Sequence, residues 1–178
     1  LRFIGRRHSA SQALAAYRTL RENGIDNISL DLIFGLPGQT VGSWEKTLER
    51  TLALAPDHLS AYSLMLEEGT RLRAMRDSGK FKEADDETIE RMYMLLCEKT
   101  DKAGFSHYEI SNFAREGRQS LHNSSYWNLT PYLGLGTGAH SYDGFVRRYN
   151  PWNIKKYIET GGEIEETDEE DFAGKVND

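Results

Sequence analysis

An α/β fold is predicted by three features of the chain. Two strand-like runs, NISLDLIF at 27–34 and HLSAYSLML at 58–66, carry the β-branched, aromatic and aliphatic residues that suit a pleated surface. An amphipathic segment lies between them, with apolar residues at helical spacing. The two runs begin about 31 residues apart, the separation of a βαβ unit in a parallel sheet.

The elements follow in order. Ser9 with Gln12 forms a capping-box signature, Ala10, Leu14, Tyr17 and Leu20 share one face of the helix it starts, and Gly24 supplies a stop. In the first strand Ile28, Leu30, Leu32 and Phe34 alternate with Ser29, Asp31 and Ile33. Helices cover the greasier face, so Asp31 is expected on the other, near the carboxyl end of a parallel strand, where α/β barrels hold their chemistry. A solvated or capped aspartate is the plain structural alternative. Ser43 or Thr40 caps a second helix with Trp44, Leu48, Leu52 and Ala55 facing inward, and Pro56 ends it.

Beyond residue 66 the chain turns charged and turn-rich, and 67–85 reads as a connection. Helical spacing of Ile89, Met92, Tyr93, Leu96 and Thr100 predicts a long helix over 86–103, closed by Gly104. Residues 106–114 and 132–142 read as strands with a polar, aromatic loop between them. A helix is expected around Lys155 to Tyr157, and Thr167 with Glu170 forms a capping box for one more.

The formal charge of −6 is local: residues 159–178 hold nine acids and one lysine, which leaves the rest at +2. No cluster of Lys and Arg marks a nucleic-acid track. No apolar run approaches the roughly 20 residues of a membrane span, and no signal peptide is evident, so a cytoplasmic location is expected. The chain opens on Leu1 and stops within an acidic stretch, and is expected to be a piece of a longer protein. Cys97 is its one cysteine, so the chain makes no internal disulfide and no thiolate cluster of its own. Its place beside an apolar stripe predicts packing rather than reactivity.

Three short motifs have chemical readings. GLPGQT at 35–40 is either a plain βα loop or a tight turn that lets a ligand approach. GLGTGAH at 134–140 follows a strand without opening a helix, which rejects a dinucleotide fingerprint. Its alternating glycines instead clear one face for another backbone or a flat ligand, and His140 is then either beside that ligand or a satisfied buried histidine. HNSSYW at 122–127 combines an imidazole, an amide, hydroxyls and two large aromatics. Imidazole ligates heme iron and aromatic faces pack on porphyrin, so the set suits a flat iron-bearing ligand; a structural loop is the alternative.

Taken in order, FIGRRHS at 3–9, NISLDLIFGLPGQT at 27–40, PDHLSAYSLMLEEGT at 56–70, YEISNFAR at 108–115, HNSSYW and YLGLGTGAHSYDG at 132–144 resemble the radical SAM proteins of the coproporphyrinogen-dehydrogenase superfamily. The resemblance covers nearly the whole chain. YEISNFAR and HNSSYW are similar to its heme-chaperone branch, whose members deliver heme to apoproteins; the other branch, the oxygen-independent coproporphyrinogen III oxidases, decarboxylates propionates with a radical made from S-adenosylmethionine.

The resemblance implies a partial (β/α) TIM-like barrel with an α+β family-specific layer and a helical extension. Residues 1–66 would be the end of the barrel, 67–150 the family layer, and 151–178 the start of the extension. It implies heme contact by His122, Asn123, Tyr126 and Trp127, with His122 the iron ligand, and S-adenosylmethionine contact by Arg6, Asp31, Met65 and His140. It implies a [4Fe-4S] cluster whose cysteines are absent from this chain, so that the piece alone would neither hold the cluster nor cleave S-adenosylmethionine. Heme, S-adenosylmethionine and heme-accepting apoproteins are the implied partners. Self-association is a further expectation, because a partial sheet leaves an edge strand open.

Overall fold

The computed structural model describes residues 1–161 and 166–168, with the chain divided into two compact units, 1–120 and 121–178. In the first, a short 3-10 turn precedes helix α1 (Ala10–Glu22), strand β1 (Ser29–Phe34), helix α2 (Val41–Leu52) and strand β2 (His58–Ser63). The predicted βαβ unit is there: β1 and β2 pair in parallel, Asp31 opposite Ser60 and Phe34 opposite Ser63. Helices α3 (Arg71–Asp77) and α4 (Asp86–Lys102) follow, then strands β3 (Ser106–Glu109) and β4 (Asn112–Ala114). The sheet runs β1-β2-β4-β3, with β4 antiparallel to both its neighbours.

Local signals set the helix starts. The Ser9 side chain accepts from the Gln12 N–H and the Gln12 side chain from the Ser9 N–H, and Thr40 and Ser43 repeat this reciprocal box at α2. The apolar faces of α2 and α4 meet over the sheet. Trp44, Leu48, Met92 and Leu96 are wholly buried with Leu59 and Phe113, and Leu30 and Leu32 pack against them. Each such side chain contributes roughly 1.5–3 kcal/mol through its burial. The Trp44 indole N–H donates to the Met92 carbonyl at 3.0 Å, which ties the two helices where no water could serve.

Several elements differ from the sequence reading. The face of α1 is largely open: Tyr17 is buried, but Leu14 and Leu20 are exposed. Ala55 does not face the core. The second helix ends at Leu52, and Ala55 takes a left-handed φ of 52° in the turn before Pro56. The connection after 66 contains α3, capped by Thr70, which accepts from the Arg73 N–H. The single strand expected over 106–114 is a hairpin, because the chain turns at Ile110 and Ser111 so that β4 can pair with β2.

The second unit holds helix α5 (Leu121–Trp127), strands β5 (His140–Tyr142) and β6 (Arg147–Tyr149), helix α6 (Ile154–Glu159) and strand β7 (Glu166–Asp168) in an antiparallel order β5-β6-β7. HNSSYW is therefore helical, not a loop. Of the strand expected over 132–142, only a bridge from Tyr132 to Tyr142 and β5 itself form. Thr167 sits in β7, paired with Arg148, while Glu170, the other half of the expected capping box, lies outside the described residues.

A candidate porphyrin cleft in the second unit

Helical geometry explains the spacing inside HNSSYW. His122 and Tyr126 are four residues apart, as are Asn123 and Trp127, so each pair stands on one face of α5. The Tyr126 hydroxyl lies 3.3 Å from His122 Nε2, and the two rings meet edge to face with centroids 5.0 Å apart. Tyr126 in turn packs edge to face on Tyr132 at 4.9 Å. The histidine is exposed, as is Trp127.

The glycine loop supplies the opposite wall. A Cβ on Gly134 would stand 2.1 Å from the His140 carbonyl oxygen, a backbone atom that cannot step aside, so only glycine allows this approach. The clearing is filled here by protein, by the backbone of β5 at Gly134 and by the Trp152 ring at Gly138. The loop is pinned from both ends: the Ser141 hydroxyl accepts the Gly134 N–H at 3.0 Å, and the buried Asn150 amide donates to the carbonyls of Gly134 and Gly136 at 3.2 and 2.8 Å. His140, half-buried, meets Tyr149 edge to face at 4.4 Å.

Between helix and loop opens a cleft of about 670 Å³ lined by His122, Tyr126, Tyr132, His140 and Arg147, with Leu133 and the backbone at Gly134 and Ala139. The volume is within the range of a small-molecule site, roughly 300–1,000 Å³. Two imidazoles, two phenols and one guanidinium line it, and no carboxylate does. Such a surface suits a planar, aromatic, anionic ligand that accepts a nitrogen lone pair at a metal. Of the residues predicted for heme, His122 and Tyr126 line the cleft, while Asn123 and Trp127 occupy the adjoining face of the same helix. Tyr132, Arg147 and Asn150 were not anticipated.

The residues predicted for S-adenosylmethionine are placed differently. Arg6, Asp31 and Met65 belong to the first unit, His140 to the second. Arg6 is exposed after the 3-10 turn, its N–H bonded to the Leu1 carbonyl. Asp31 is exposed at the third position of β1, on the face away from Leu30 and Leu32, with Ser29 beside it; it stands mid-strand rather than at the strand end. Met65 is 76% exposed just past β2. The face that Asp31 shares is polar and ordered: His58 lies between the Ser29 hydroxyl (2.7 Å from Nδ1) and the Tyr108 hydroxyl (2.6 Å from Nε2), and Ser60 donates to Asn112 at 2.6 Å. Burial holds the His58 imidazole below its usual pKa, although the carboxylates of Asp31 and Glu109 oppose the shift. GLPGQT makes its close approach to protein: a Cβ on Gly35, at φ 74°, would meet Ile89 at 2.5 Å. Among the described residues no group of His, Cys, Asp and Glu gathers that would hold a metal ion, and burial pushes the half-buried Cys97 thiol up. No described helix is long and apolar enough to cross a membrane.

The fold is that of a radical SAM protein: the chain superposes on the solved coproporphyrinogen III oxidase HemN of Escherichia coli with a TM-score of 0.75 over 94% of its length and 42% of that structure, at 23% identity. No family model matches the chain. It is 40% identical over 156 residues to the heme chaperone HemW of Bacillus subtilis, spanning 88% of this chain and 41% of that protein. It is 42% identical over 153 residues to the mitochondrial radical S-adenosyl methionine domain-containing protein 1 of Danio rerio, spanning 83% of this chain and 34% of that one. The chain thus spans less than half the length of these curated relatives. By these matches the chain is similar to HemW-type radical SAM proteins.

Proposed function

We propose that the chain carries the heme-handling part of a heme chaperone built on a radical SAM scaffold, cytoplasmic in location, which passes heme to apoproteins. One observation carries this reading: His122 and Tyr126 of the helical HNSSYW motif form a wall of the aromatic, carboxylate-free cleft. A neutral imidazole donates a lone pair to heme iron, and a ligating histidine is oriented by a hydrogen bond at its other ring nitrogen. The Tyr126 hydroxyl next to Nε2 offers that partner. Trp127 and Asn123 extend the surface that the helix presents.

The same reading gives S-adenosylmethionine to Arg6, Asp31, Met65 and His140. The exposed Asp31 carboxylate is suited to accept from a ribose hydroxyl or an ammonium group, and Arg6 to pair with a carboxylate through its fork. With a [4Fe-4S] cluster held by cysteines outside this chain, S-adenosylmethionine would supply radical chemistry. The partition at 1–66, 67–150 and 151–178 belongs to this proposal too. The test is anaerobic incubation of the intact protein with coproporphyrinogen III and S-adenosylmethionine, followed by porphyrin analysis, alongside transfer of bound heme to an apoprotein. Heme transfer with the porphyrinogen unchanged is expected; conversion of two of its propionates to vinyl groups would instead make the protein an oxidase.

A further inference from the structure

One residue gathers three carbonyls of the glycine loop. Asn150 follows directly on β6, and its backbone N–H carries the β5–β6 ladder one step further, donating to the Ala139 carbonyl at 2.9 Å. Its side-chain nitrogen donates to the carbonyls of Gly134 and Gly136. An amide nitrogen has two hydrogens, so a single side chain serves both acceptors; an aspartate of the same shape, acceptor-only when ionised, would set oxygen against oxygen at each. Asn150 is only 7% exposed, and a buried polar group of this kind is costly to leave unpaired. The segment after it completes the seat: the Pro151 carbonyl accepts the Gly138 N–H at 3.0 Å, and the Tyr157 hydroxyl accepts the Gly136 N–H at 3.1 Å. On its other side the same stretch is wall, since Gly134, Ala139 and His140 line the cleft with His122 and Tyr126. Asn150 is not itself among the lining residues, so its effect on a ligand passes through the loop it holds.

We propose that Asn150 is the positioning residue of the cleft: by clamping Gly134, Gly136 and Ala139 it fixes the loop wall, and the place of His140 on it, against which a flat tetrapyrrole packs. This inference rests on the porphyrin-binding reading of the same cleft, and gives a role in binding to a residue outside the HNSSYW motif. A wall set in advance spares the ligand the cost of ordering the loop, so the clamp acts on affinity. Iron ligation by His122 is a separate matter. Loss of the ligand changes the spectrum of the iron, whereas a loosened wall weakens binding and leaves the ligand where it was.

The test titrates the intact protein with hemin at one pH, wild type beside Asn150→Ala and Asn150→Ser, and reads absorption together with hydrogen exchange of the peptides over 121–127 and 133–142. Hemin is expected to slow exchange in both peptides of the wild type. Asn150→Ala keeps neither side-chain donor, and is expected to exchange faster over 133–142 and to bind hemin about tenfold more weakly, with the bound-heme band at its wild-type position. Asn150→Ser keeps one donor and should fall between. Exchange over 27–66 reports whether the fold is intact; should Asn150→Ala lose it, Asn150→Ser decides by the same readings. Wild-type affinity in the variants, whatever the loop exchange, would make Asn150 structural only and overturn the proposal. So would a shifted band in the Asn150 variants, or hemin binding by the wild type without protection of 133–142; in each of these cases the heme reading stands. A wild type that takes up no hemin would overturn the porphyrin reading and this inference with it.

Discussion

His58 shows how one side chain can record its surroundings in a measurable way. It is almost fully buried, and its two ring nitrogens are held by Ser29 and Tyr108. Because burial lowers its pKa in the folded protein, the unfolded chain takes up the proton first. The stability contributed by the neutral ring is therefore fully present above the unfolded pKa of about 6.5 and is lost as the pH falls below it. Denaturant midpoints at pH 7.5 and 5.5 should drop more for the wild type than for His58→Gln; equal drops would contradict the assignment. At this scale the sequence was informative about identity and less so about company. His122, Tyr126 and His140 could be singled out because their residue types are chemically unusual and lie in short motifs. Arg147 could not, since one of two adjacent arginines reads as a solvated pair until β6 assigns them to opposite faces.

Elements were legible where their causes are local. The boxes at Ser9 and Thr40 need only residues three apart, and the stripe from Ile89 to Thr100 needs only its own periodicity, so α1, α2 and α4 were all readable. Helix α5 was missed because HNSSYW is polar and lacks an apolar stripe; its signal is the pair of four-residue spacings, His122 to Tyr126 and Asn123 to Trp127. The β3–β4 hairpin was missed because its turn, at Ile110 and Ser111, has neither glycine nor proline, and its register is set by pairing with the distant β2. The packing of α2 on α4 makes a direct prediction. Trp44→Ala removes a wholly buried indole together with its hydrogen bond to the Met92 carbonyl, and should cost about 3–5 kcal/mol in urea unfolding. Trp44→Phe should cost much less. A loss below about 1 kcal/mol for the alanine variant would show that α2 does not depend on this contact.

At the scale of the whole molecule, the fold follows from a parallel βαβ unit extended by an antiparallel hairpin, and the cleft from a helix and a glycine loop within the second unit. Pattern and periodicity led to the first; the residue chemistry of HNSSYW and the order of six motifs along the chain pointed toward the second, whose walls are made by residues distant in sequence. The central functional claim is heme binding at His122. Its most direct test is a heme titration of the intact protein at one pH, followed by absorption spectroscopy, for the wild type, His122→Ala and His107→Ala. His107 is the matched control: it is a histidine beside aromatics, stacked on Phe113 at 4.3 Å in the sheet of the first unit, and outside the cleft. Loss of the iron ligand should shift the heme band and weaken binding by about tenfold, or about 1.4 kcal/mol, in His122→Ala, with His107→Ala behaving as wild type. Identical spectra and affinities for wild type and His122→Ala would contradict the account and leave HNSSYW a structural helix.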